Sequence, residues 1–333
     1  MEKNADTPSA AAIPSGTFSS LPVGLFGSVM GLTGLSVAWH LAHDRFGVSR
    51  LFADAIGAVA VVVFLLVAGG YAIKLVTASQ AVQAEFAHPV AGNLFGTFLI
   101  SLLLLPIVLA PVDLLLARIV WAAGAVGMTA FGWFMVDRWI SHRQQTVHAT
   151  PAWIIPVVGM LDIPLAMPAL GLQSMQGVMV FGLAVGLFFT IPLFTVIFSR
   201  LVFEAPLPDA LQPSLLILLA PFAVGTSTYI VTSGQVDLFA QALLWLTLFL
   251  LAVLLGRLRY LAKCCPFRVA WWAVSFPLAA AAIAALRIDL ALRGPVHDFV
   301  AVALLALSTV VIVALLIRTL LGVARGELKT LSL

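Results

Sequence analysis

The chain has 333 residues, of which 62% are hydrophobic and 9% charged, and its mean hydropathy is +1.13. Ordinary soluble domains carry about 25% charged residues, so an integral membrane protein is expected and a soluble catalytic module has no room. The net charge of +3 comes from scattered residues, without the basic run and interleaved aromatics of a nucleic-acid binder.

Residues 1–19 (MEKNADTPSAAAIPSGTFS) are polar and small. They lack the basic-then-apolar order of a signal peptide and read as a disordered tail. Ten apolar stretches follow, near 20–42, 52–76, 91–111, 113–139, 151–170, 174–200, 210–233, 236–260, 267–290 and 296–323. Each matches the length of about 20 residues that a helix needs to cross a bilayer. Residues 20–325 are expected to form one transmembrane domain, with 326–333 as a short tail.

Proline and glycine alternate with the span number. Pro22 with Gly24, Gly27, Gly31 and Gly34 marks the first span, Pro106 the third, Pro156 and Pro164 the fifth, Pro221 the seventh and Pro277 the ninth. Among the even spans only the sixth has an interior proline, Pro192. Proline inside a helix removes a hydrogen bond and bends the axis, and in hydrocarbon the freed carbonyl needs protein or water as its partner. The pattern predicts an all-α membrane fold of five helical hairpins, with bent inner helices around an axis and straight outer ones.

Lys and Arg set the orientation. The termini and the loops after spans two, four, six and eight hold 12 of the 17 basic residues, with Arg257, Arg259, Lys263 and Arg268 the densest group. Arg45, Arg50, Arg118, Arg287 and Arg293 lie opposite. A multi-pass protein of the inner (plasma) membrane with both termini cytoplasmic is expected.

Enzyme signatures are absent: there is no G-x-S-x-G, H-E-x-x-H, P-loop or dinucleotide fingerprint. No cofactor or metal is therefore expected. The six histidines lie at span ends or in loops, and adjacent Cys264 and Cys265 have no metal-ligand spacing. Lys74 and Arg118 stand near span ends where they can snorkel, Arg118 also being able to pair with Asp113. Asp162 alone is deep, about eleven residues or roughly 16 Å into span five. An intramembrane carboxylate defaults to function, here a pore or pH-sensing group. Standing two residues before Pro164, it also has the place of a helix cap.

Three segments carry a family likeness: PVGLFGSVMGLTGLSVAW at 22–39, LLAPFAVGTSTYI at 218–230 and VAWWAVSFPLAAAAIAAL at 269–286. With TPAWIIPVVG at 150–159, they resemble the tellurite-resistance/dicarboxylate transporter family. That TehA-like family includes the yeast malate permease and the slow anion channels of plant guard cells. The resemblance covers about residues 20–325 and implies a quasi-fivefold ring of hairpins around a central pore, a homotrimer with one pore per protomer, and a phenylalanine plug that falls on Phe276. It implies an anion channel for nitrate or chloride. The alternative is a secondary transporter or exporter of C4-dicarboxylates such as malate, or of sulfite or tellurite, possibly proton-coupled.

No Lys or Arg occupies the middle of an odd span. Ser28, Thr33, Thr97, Ser101, Thr226, Ser227 and Ser275 offer hydroxyls on those spans, a minority of which are expected to face the pore because many bond their own helix. Without a tight site, discrimination is expected to follow the cost of dehydrating the anion.

Overall fold

The computed structural model describes residues 19–258 and 267–327. Residues 1–18, Arg259, Lys263, Cys264, Cys265 and residues 328–333 lie outside the described residues, and with them most of both expected tails.

The described residues are helical, with no strand. Among the described residues nine helices are long and apolar enough to cross a membrane: Val23–Phe46, Arg50–Thr77, Ala91–Leu109, Leu114–Ser141, Gln176–Phe203, Asp209–Ser233, Leu238–Gly256, Val269–Leu292 and Pro295–Ala324. The run expected as the fifth span, Pro151–Ala166, is a shorter apolar helix. We number the ten segments in chain order. The first, third, seventh and ninth bury 56–78% of their most apolar window, whereas the even ones bury 22–33%. Almost every residue of the fifth is buried. The even helices instead expose large apolar side chains such as Leu66, Val126, Ile191, Phe249 and Val310, as a lipid-facing surface requires.

The odd segments touch in a cycle: first with third, third with fifth, fifth with seventh, seventh with ninth, and ninth with first. Each also packs against the even helix that follows it. Turn chemistry sets the hairpins. Gly47 (φ 70°) and Gly234 (φ 69°) end the first and seventh segments in the left-handed region that favours glycine. The side chain of Asp113 caps the fourth by accepting from the Leu116 N–H at 3.0 Å.

The odd segments differ from the even ones in helix type, and here the expected kinks need correction. All five begin as 3₁₀ helix: Val23–Leu25, Ala91–Leu94, Pro151–Ile154, Asp209–Leu219 and Val269–Val274. Four then continue as α-helix over Phe26–Phe46, Phe95–Leu109, Ala220–Ser233 and Ser275–Leu292, while the fifth alternates short 3₁₀ and α turns. Of the five odd-span prolines expected as kinks, only Pro106 lies in the interior of an α-helix, as Pro192 does in the sixth segment. Pro156, Pro164 and Pro221 open helical turns, and Pro277 is the third residue of its α-helix. In a first turn the missing N–H costs little. Pro156, Pro221 and Pro277 stand within the first three residues after a change from 3₁₀ to α, whereas Pro164 opens a second 3₁₀ turn. The fifth segment still has reach, since 3₁₀ turns rise about 2.0 Å per residue against 1.5 Å for α.

The glycine ladder of the first segment is a packing surface for the ninth. A Cβ on Gly31 would lie 2.5 Å from the Ser275 Cβ, and one on Gly34 would lie 2.9 Å from the Ala279 Cβ. Both are closer than real Cβ contacts, so only glycine admits this approach.

Two charged residues depart from expectation. Lys74 does not snorkel: it is buried and donates to Glu85 Oε2 at 2.6 Å and to the Leu21 carbonyl at 2.7 Å. A folded-in carboxylate partner removes the need to reach for the interface. Arg118 does not pair with Asp113 but donates from Nε and Nη2 to the Leu170 carbonyl at 3.0 and 2.8 Å.

Candidate functional site

Two cavities lie between the odd segments. The larger, about 290 Å³, is lined by Gly27 and Met30 of the first, Thr97 and Ile100 of the third, and Thr150, Val158 and Asp162 around the fifth. Ser214, Ile217 and Val224 of the seventh and Trp272, Phe276 and Pro277 of the ninth complete it, with others. The smaller, about 20 Å³, is lined by Gly34, Val37, Leu104, Ile107, Leu165, Val224, Ser227, Phe276, Ala280, Ile283 and Arg287. On all five segments the residues of the smaller cavity follow those of the larger, apart from the two that are shared. The five segments therefore run in the same direction, and the cavities are successive levels of one axis.

Among the described residues only Val224 and Phe276 line both cavities. Phe276 is the second residue of the α-helical part of the ninth segment, two residues past the end of its 3₁₀ stretch. It is 7% exposed, and a Cβ on Gly34 would stand 3.5 Å from its Cδ2. Among the described residues it has no aromatic ring partner, unlike Phe26 or Phe95. The larger cavity follows the 3₁₀ stretches, and the narrowing falls where the seventh and ninth segments have become α-helical. The fold thus supplies a change of bore along the axis at the same depth as Phe276.

Asp162 lines the larger cavity and is 2% exposed. It caps nothing: the 3₁₀ turn starting at Pro164 has no side-chain cap bond. Its Oδ1 has no hydrogen-bond partner. A buried carboxylate oxygen without a donor is costly, so the capping role is replaced by a cavity-facing carboxyl.

Glu85 stands at the mouth of the same cavity. Its carboxylate accepts from Lys74, from the Tyr71 hydroxyl at 3.0 Å and from the Val23 N–H at 2.7 Å. This network ties the start of the first segment to the second and to the short helix Ser79–Ala87 through charge-assisted bonds.

Most candidate pore hydroxyls lie elsewhere. Ser28 bonds the Leu25 carbonyl, Ser101 those of Thr97 and Phe26, and Thr226 that of Phe222. Ser275 bonds Trp272 and, across the interface, Gly27. None of these four lines a cavity, because a hydroxyl in an apolar helix finds its nearest acceptor in the preceding turn. Thr97 does line the larger cavity, but its hydroxyl is spent on the Leu94 carbonyl at 2.6 Å. Of the expected kink prolines, only Pro277 lines a cavity.

Thr150 and Ser227 keep their buried hydroxyls unpartnered while lining the larger and smaller cavity respectively. Thr150 was not singled out from sequence, although its place just before Pro151 marks a break. Arg287 is near the end of the ninth segment as expected, but it also lines the smaller cavity. Trp272 is buried, with its indole N–H on Thr319 at 3.0 Å, and is not at the lipid boundary.

Comparison with known proteins adds a family. The model of the SLAC1 family, described as voltage-dependent anion channel, matches residues 20–320. The S-type anion channel SLAH3 of Arabidopsis thaliana is 25% identical over 308 residues, covering 90% of this chain and 48% of its own. The tellurite resistance protein TehA homolog of Haemophilus influenzae is 28% identical, covering 92% of both chains. The transporter MJ0762 of Methanocaldococcus jannaschii is 29% identical, covering 74% of this chain and 78% of its own. The chain spans about half the length of the plant channels it matches.

Proposed function

The chain belongs to the SLAC1 family of voltage-dependent anion channels, and from that premise we propose that it conducts small monovalent anions along the axis between its odd segments, with Phe276 as the plug. The observation that carries this reading is the pair of stacked cavities whose common wall includes only Val224 and Phe276. Both side chains are apolar, and a narrow apolar constriction blocks ions by excluding water. Nothing in the wall binds an ion there, so displacement of one ring is enough to open it. The larger cavity faces the cytoplasm in this reading. Of the arginines on the opposite side, Arg45 pairs with Asp289 and Asp298, and Arg50 with Asp54. Protomers assemble as homotrimers in the inner (plasma) membrane, each with its own pore, and light scattering of the detergent-solubilised protein checks that stoichiometry.

Planar-bilayer recording of purified protein tests the plug. Phe276→Ala should raise anion current at least about tenfold, the equivalent of about 1.4 kcal/mol off the barrier. Unchanged current from a variant that elutes and melts like wild type would falsify the assignment.

Asp162 favours a second reading, a proton-coupled exporter of dicarboxylates, sulfite or tellurite. Its unpartnered carboxyl lines the larger cavity, the kind of place where transporters hold coupling groups. Uphill anion movement in liposomes under an imposed pH gradient supports coupling; strictly downhill movement supports the channel.

A further inference from the structure

We propose that Arg287 and Ser227 form an anion-binding site just beyond the plug, sized for one dehydrated halide. The proposal rests on the axis being the anion path, and adds to it a place where the ion pauses.

Both residues line the smaller cavity. Ser227 is 2% exposed and its Oγ is buried without a hydrogen-bond partner. The Arg287 Nε is likewise buried and unpartnered. A hydroxyl and a guanidinium N–H that each lack an acceptor, on two residues lining one small space, are a donor set for an anion. Leaving such donors unsatisfied is expensive, and an anion satisfies both.

Charge balance around the guanidinium agrees. The nearest carboxylate along the helix, Asp289, accepts from Arg45 Nε at 2.9 Å, and Asp298 is held by the same arginine. No salt bridge joins Arg287 to any carboxylate among the described residues. Helical side chains lean toward the helix N-terminus, which for Arg287 is the direction of Phe276.

The space limits the ligand. About 20 Å³ exceeds the roughly 10–15 Å³ that one water needs, and leaves no room for a hydration shell or for a dicarboxylate. The site therefore holds a small ion stripped on at least one side. Because the plug remains apolar, permeability ratios are set there, while the site sets occupancy and saturation.

Two measurements test it. Crystals of the full-length protein soaked in bromide should show an anomalous peak between Arg287 and Ser227, lost in Arg287→Gln and retained in Arg287→Lys. In the Phe276→Ala background, Arg287→Gln should raise the half-saturating chloride concentration on the Arg287 side at least about threefold, with Arg287→Lys restoring most of it. No bromide peak together with unchanged saturation overturns the site while leaving the conducting axis intact. A bromide peak in a protein whose Phe276→Ala variant passes no current overturns the plug and keeps the site.

Discussion

Asp162 illustrates how one side chain can be placed by its neighbours and still be assigned by its surroundings. Its position before Pro164 suggested a cap, yet no N–H accepts that role, and its Oδ1 is bare in the wall of the larger cavity. An ionised carboxylate there opposes an anion. At an illustrative separation of about 10 Å and an effective dielectric constant of about 20, the repulsion is roughly 1.7 kcal/mol, more than tenfold in occupancy. Asp162→Asn keeps the volume and removes the charge. Its expected effect is a severalfold larger current in the Phe276→Ala background, read as single-channel conductance; an unaltered conductance would mean that Asp162 is uncharged during conduction. Phe276 was singled out by likeness of motif alone, and its place between the two cavities came from the tertiary structure. Ser227 and Arg287 were visible as residue types, but their shared cavity was not, because they come from different segments 60 residues apart in sequence.

At the level of the segment, alternation of proline and glycine separated inner from outer helices, and burial follows the same alternation. The local conformation was another matter. Proline-marked segments were expected as kinked α-helices, whereas they start as 3₁₀ and become α. Proline is compatible with both helix types, so its presence reports a break without saying which. The glycine ladder likewise signalled close packing but not its partner, the ninth segment. Gly31→Ala should destabilise the protein by about 1–3 kcal/mol through overpacking against Ser275, and Ser275→Gly in the same chain should restore part of that. Gly69→Ala, with nothing within 4 Å of the added methyl, should stay within about 0.5 kcal/mol of wild type. Thermal unfolding in one detergent compares all three; equal losses at both glycines would argue against the tight interface.

For the whole protein, closure of the five odd segments on one another leaves two successive cavities that share the apolar side chains of Val224 and Phe276. On the proposed path, an ion crossing Val224 and Phe276 would lose water without gaining a partner there. Nitrate and iodide, more weakly hydrated than chloride, should therefore be more permeant by reversal potential. Chloride ahead of nitrate would place a coordinating group at the constriction itself and contradict the apolar barrier. The family match extends over residues 20–320, and the sidedness proposed for the axis rests on the placement of basic residues, which resist translocation.

Hydropathy, charge placement and proline spacing established a helical membrane protein, its approximate spans and its inner set, because these depend on the chain's exchange between water and lipid and on local backbone chemistry. The helix type of the inner segments, the Lys74–Glu85 pair, the stacked cavities and the meeting of Ser227 with Arg287 depend on which distant segments touch. Those contacts are settled only when the five inner segments close on one another, since no short-range rule specifies which side chain of one helix will share a space of about 20 Å³ with another.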